Sequence, residues 1–216
     1  MERTDLKEEQ FERLVEAIFP IVAESGPYHT TMDAVARKLS MSKRTLYEIF
    51  GSKDEMIISV MRHMKKTHSE GIDRIIRASS NVMEAMANVL IYHQQMMSRL
   101  SADFFRDMDA RYHNLRKEFE SDNCKWEEYI SIAVKLGKQQ GVFRTDTNYK
   151  VMFTLFRVQM ESLKRMEEFF PPGITLLDAY NTISISFLRS IATEKGMKTL
   201  DQLTKKFNIR TDNDFR

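Results

Sequence analysis

Apolar residues recur every three or four positions along most of the chain, the period of helices with one buried face, and no useful stretch alternates as a strand would. Phe11, Leu14, Val15, Ile18 and Val22 mark a first helix from about Lys7 to Ser25, stopped by Gly26-Pro27. Pro20 lies inside it and predicts a bend, because it removes one backbone bond. Met32, Val35, Ala36 and Leu39 mark a short second helix, about Met32–Leu39, with Thr31 as N-cap. Ser40-Met41 makes a turn, and Ser42 repeats the cap signal before Lys43–Phe50, which Gly51 closes. Ser52 with Glu55 reads as a capping box opening a long fourth helix to about Ala78.

Two short helices joined by roughly 3–4 residues have the spacing of a helix-turn-helix, whose second helix enters the DNA major groove. In that second helix Leu46, Ile49 and Phe50 form an apolar stripe for the core, which leaves Arg44, Tyr47 and Glu48 outside. Lys43 and Thr45 flank its first turn, where side chains, amides and the positive end of the helix dipole converge on a phosphate or a base edge. The net charge of +2 does not by itself announce a nucleic-acid binder. The local balance does: between Arg37 and Lys53, Arg37, Lys38, Lys43, Arg44 and Lys53 stand against Glu48 alone, a run that without the helix-turn-helix spacing reads as an ordinary solvated face. Glu48 either accepts from a cytosine amino group or is simply solvated.

The run Thr30-Thr31, Ala36, Ser42, Thr45-Leu46-Tyr47, Phe50 and Ser52-Lys53 resembles the signature of the TetR family of bacterial transcriptional regulators. The resemblance covers about the first sixty residues. It implies an all-α homodimer with an N-terminal three-helix DNA-binding domain, joined by a long helix to a larger helical domain that binds a small molecule and dimerises. On the family's pattern Thr31, Tyr47 and Lys53 grip phosphates, while Lys43, Arg44 and Thr45 fall where bases are read; Ser42 completes the candidate DNA-binding set. The chain departs from that pattern at Ser40, where glycine is common, at Val22, where an aromatic is usual, and at Ile49, where an aromatic or histidine is usual. The domains are thus expected at 1–52 and 53–216.

Further helices are expected from Ser79-Ser80-Asn81, from Ser101 to about Phe119, and from Asp122-Asn123 to Gly141. One more runs from Asn148 to Phe170, before Pro171-Pro172-Gly173, and another from about Leu176 to Glu194, stopped by Gly196. The faces of these last two long helices suit a domain core or a four-helix bundle with a twin chain, and reading a palindrome needs two heads. Fifteen methionines is a high count. Met86, Met97, Phe104, Met108, Tyr112, Trp126, Phe156 and Met160, with His93, Tyr129 and Gln159 as polar anchors, are the candidate lining of an apolar ligand pocket. Each of them taken singly also reads as plain core.

No Glu is followed three residues later by His, and His29, His63, His68, His93 and His113 include no pair four apart, so neither a di-iron nor a zinc-helix motif is present. Nucleophile-elbow, Walker and dinucleotide motifs are also missing, and no cofactor is expected. The charged start MERTDLKEEQ lacks the apolar core of a signal peptide, and nowhere are there 18 consecutive apolar residues. The one cysteine, Cys124, has no partner for an internal disulfide, which fits a reducing cytoplasm. The expected function is a cytoplasmic, ligand-responsive DNA-binding regulator, a repressor on an inverted-repeat operator released by an apolar or amphipathic effector. A DNA-binding protein with a protein partner in place of the ligand, and a helical enzyme, are the alternatives.

Overall fold

A computed structural model describes residues 3–112, 115, 123–166 and 170–206. Among them are α1 (Arg3–Ser25), α2 (Met32–Lys38), α3 (Lys43–Phe50), α4 (Lys53–Ala78), α5 (Val82–Met97) and α6 (Ala102–Ala110). They are followed by α7 (Asn123–Gln139), α8 (Tyr149–Met166), α9 (Leu176–Ile191) and α10 (Glu194–Lys206). The chain forms two compact units, Met1–Gly71 with Ser98–Asp122, and Ile72–Met97 with Asn123–Arg216. A boundary at residue 52 would leave α4 and α6 in the second domain. The first unit instead takes in α4 as far as Gly71, together with α6.

Burial explains why. Val15, Ile18 and Val22 of α1, Leu46 of α3, and Met56, Ile57 and Val60 of α4 have at most 1% of their surface exposed and share one core. Phe104 and Met108 of α6, and Tyr112 just past its end, recur four residues apart and enter the same core. Ser101 caps α6 by accepting from the Phe104 amide at 3.1 Å, and its own amide donates to the Ala23 carbonyl at 2.9 Å. The Tyr112 hydroxyl donates to Asp54 Oδ1 at 2.7 Å. Burial and this bond hold the Tyr112 phenol neutral, with its pKa well above the usual tyrosine value. The expected continuation of this helix toward Phe119 falls on 113–114 and 116–122, outside the described residues.

The second core gathers Met83 of α5, Phe153 of α8, Phe187, Leu188 and Ile191 of α9, and Leu200 of α10 around Val142 and Phe143. The Phe143 ring lies so close to Gly137 of α7 that a β-carbon there would overlap it. Phe156 stacks on Phe187 with ring centroids 4.4 Å apart. Thr175 and Asp178 form a reciprocal capping box at the start of α9. The end of that helix corrects the sequence reading: α9 stops at Ile191, and Gly196 lies inside α10, under the Val142 carbonyl where a side chain would not fit. The break comes at Ala192-Thr193 because those residues pair with the turn after α7. Arg144 N donates to Ile191 O at 2.9 Å, Thr193 N to Val142 O at 3.0 Å, and Thr193 Oγ1 to Gly141 O at 2.7 Å.

Ser40, between α2 and α3, is the one non-glycine with positive φ among the described residues, at 54°. This is the angle that glycine adopts freely, and the left-handed region costs other residues roughly 1–2 kcal/mol. Ser40→Gly therefore raises stability despite adding about 0.4–1 kcal/mol of unfolded-state entropy. Urea titration should show a small rise in midpoint with unchanged slope, whereas Ser40→Val should lower it.

Candidate DNA-binding face

Helix α3 has only eight residues, too short to hold itself in water, so its shape comes from caps and from burial on one side. Ser42 is extended (φ −76°, ψ 142°) and accepts from the Thr45 amide at 3.0 Å; Gly51, at φ 73°, terminates the helix. Thr31 does the same for α2, accepting from the Ala34 amide at 3.1 Å. Ser52 accepts from the Glu55 amide at 3.1 Å at the start of α4.

Leu46 and Phe50, one turn apart, are buried. Ile49, expected in the same stripe, is 41% exposed. The correction is geometric: the i, i+4 pair alone fills the contact with the core, and Ile49 turns past its edge. Ser42, Lys43, Arg44 and Tyr47 are exposed and Thr45 is half-buried, so the first turn and outer side of α3 form a polar face. The cations on it are lightly held. Lys43 Nζ lies 2.8 Å from Asp33 Oδ2, and Arg44 Nε 2.8 Å from Glu48 Oε1. Such exposed pairs are weak, worth about 0–1 kcal/mol.

Lys53 is held differently. Its Nζ donates to the Tyr28 carbonyl at 2.6 Å and lies 5.7 Å from the centre of the Tyr28 ring. Partial burial, then repulsion from Arg111, pushes its pKa below the usual lysine value. The Arg111 guanidinium is 5.8 Å from the same ring, and Tyr28 N donates to Asp107 Oδ2 at 2.7 Å. The sequence reading missed Tyr28, Asp107 and Arg111. Nothing local signals them, because Arg111 reaches the head only through the packing of α6.

The residues proposed to line a ligand pocket are distributed between the two units. Phe104, Met108 and Tyr112 are buried in the first core. Met86 and Phe156 pack against the second; His93, Met97 and Met160 are half-buried. Tyr129 is 61% exposed and Gln159 is exposed. The side chain of Trp126, on α7, lies outside the described residues. A cavity of about 10 Å³, the room of one water molecule, opens in the second unit between α5, α9 and α10. Leu90, Gln94, Tyr180, Ser184, Leu188 and Leu203 are among its walls, and none of the expected ligand residues is. Burial pushes the Tyr180 phenol up in pKa, and its hydroxyl donates to the Leu90 carbonyl at 3.2 Å.

A capped helix pair that offers a polar, cation-bearing second helix has the arrangement of a helix-turn-helix. Residues 14–60 match the family of bacterial regulatory proteins, tetR family. Over those residues the chain is similar to the TetR family of transcriptional regulators. It is 26% identical over 85 residues to the HTH-type transcriptional regulator HbdR of Aromatoleum sp. (strain CIB), covering 39% of this chain and 37% of that one. Across three curated relatives that it matches, the chain spans 37%, 53% and 47% of their length. The fold extends further. A transcriptional regulator from Cytophaga hutchinsonii superposes with TM-score 0.64 at 18% identity, covering 87% of this chain and 99% of the other. The regulator FadR of Bacillus subtilis, in complex with stearoyl-CoA, does so with TM-score 0.54 at 14% identity, covering 82% and 97%.

If the face divides into base-reading and phosphate-gripping residues, Arg44→Ala should cost about 1–3 kcal/mol on a preferred site and relax sequence preference. Lys53→Ala should weaken binding to all duplexes alike and flatten the salt dependence. Fluorescence anisotropy on matched and scrambled duplexes separates the two, and the opposite pattern would reverse the assignment.

Proposed function

We propose that this protein is a cytoplasmic transcriptional repressor that holds an inverted-repeat operator as a homodimer and leaves it when a small apolar or amphipathic effector binds the second domain. The observation that carries the reading is the exposed first turn of α3, where Lys43, Arg44 and Thr45 follow a serine cap and rest on weak, exchangeable partners. Thr31, Tyr47 and Lys53 flank it as phosphate contacts. Among the described residues no helix is long and apolar enough to cross a membrane, in keeping with a protein that works on DNA.

The dimer is proposed through α8 and α9. In support, Val151, Leu155 and Val158 recur along one side of α8 and are each about half exposed, at 49%, 52% and 49%. The exposed positions of α9 include Thr182, Ser186 and Arg189, which are polar, so α8 supplies the apolar part of the contact. Burying one leucine of that stripe is worth roughly 1.5–3 kcal/mol, and a symmetric interface counts it twice. Leu155→Glu should therefore shift the protein from dimer to monomer in analytical ultracentrifugation while its helical circular dichroism is kept.

The effector is proposed as amphipathic partly because a neighbour in fold, FadR, was captured with stearoyl-CoA. A second reading is favoured by a different observation: the described cavity is small, and Tyr129, Ile132 and Leu136 form an exposed apolar stripe on α7. That combination suits a protein partner in place of a small ligand.

Selection of genomic fragments by the purified protein, followed by sequencing, tests the core of the proposal. Enrichment of an inverted repeat is the expected result. Release of that DNA by a long-chain acyl compound supports the effector; enrichment of non-repeated sites would overturn the dimeric reading.

A further inference from the structure

We infer that Arg111, at the C-terminal cap of α6, is a DNA-backbone contact that shares a phosphate site with Lys53 across the exposed ring of Tyr28. The inference rests on the DNA-binding reading and extends it beyond the helix-turn-helix.

The Lys53 ammonium and the Arg111 guanidinium lie 5.7 and 5.8 Å from the centre of one ring, which is 56% exposed. Two cations so placed repel, and that repulsion, after partial burial, contributes to holding the Lys53 pKa down. The two neighbouring acids do not relieve it by direct pairing. Asp107 Oδ2 accepts from the Tyr28 amide, and Asp54 Oδ1 accepts from the Tyr112 hydroxyl. Among the described residues neither cation makes an ion pair with a carboxylate. This contrasts with Lys43 and Arg44, each of which rests on an acid.

An anion within reach of both cations offsets the repulsion, and an arginine fork donates to two phosphate oxygens at once. The anion best supplied there is the DNA strand, because the site is built on the residues that lead into α2 and α4, three positions before Thr31 and at the first residue of α4. The acids serve the geometry instead. Asp107 ties Tyr28 to α6, and a β-carbon on Gly26 would meet the same carboxylate oxygen at 2.7 Å, so the chain passes α6 at contact distance. Arg111 is thereby held at the head although it lies 58 residues beyond Lys53 in sequence.

Binding of a mixed-sequence duplex, followed by fluorescence anisotropy across a range of potassium chloride concentrations, tests this without knowledge of the operator. Each phosphate contact contributes about 0.9 to the slope of log affinity against log salt. Arg111→Gln should lower the slope by about 0.9 per head, Arg111→Lys should restore most of it, and Lys198→Gln, an exposed cation of the second unit, should leave it unchanged. An unchanged slope in Arg111→Gln with normal wild-type binding overturns the inference alone. An equal loss in Lys198→Gln would assign the effect to net charge and also overturn it. Failure of the wild-type protein to bind the duplex at any salt concentration would remove the DNA-binding reading itself.

Discussion

The side-on burial of α3 is the constraint from which the DNA-binding face follows. Leu46 is wholly enclosed and Phe50 nearly so, against Ile18 and Val22 of α1 and Met56 and Ile57 of α4. A helix of this length has no stability of its own, so anchoring two positions one turn apart both forms it and decides which side faces out. Each cap then fixes the first turn of its helix at the surface. The same anchoring sets a strained serine in the turn before it, the one place among the described residues where local preference yields to packing outside glycine.

The head is completed by a helix from much later in the chain. Phe104, Met108 and Tyr112 close the first core, and the Tyr28–Asp107 and Tyr112–Asp54 hydrogen bonds fix α6 against the segments that flank the helix-turn-helix. Hydrogen bonds to carboxylates are stronger than neutral ones and directional, so α6 is located as well as attached. The methionine and aromatic residues of α6 thereby serve the head's own packing.

The second unit is organised around the short crossing of residues 141–144 and 191–193. There the backbone of two helix ends is paired strand-fashion, and Phe143 is pressed between Gly137 and the stacked ring of Tyr149. This crossing ends α9 and starts α10, so Gly196 is free to serve as a close-approach residue within a helix. The unit keeps apolar stripes on α7 and α8 at the surface.

The sequence by itself determined the helices, because helical periodicity, serine and threonine caps and glycine stops are local signals; Thr31, Ser42, Gly51 and Ser101 all act where they were expected to. It also determined the polar face of α3, since a short helix with one apolar edge has only one other side. Tertiary structure decided what depends on distant residues. It turned Ile49 outward and placed Gly196 inside a helix. It drew α6 into the head and divided a run of methionines and aromatics between two cores. The physical reason is that hydrophobicity is non-directional: it tells a side chain to leave water, while the partner it leaves with, and the cation such as Arg111 that is carried along, are set by how the whole chain packs.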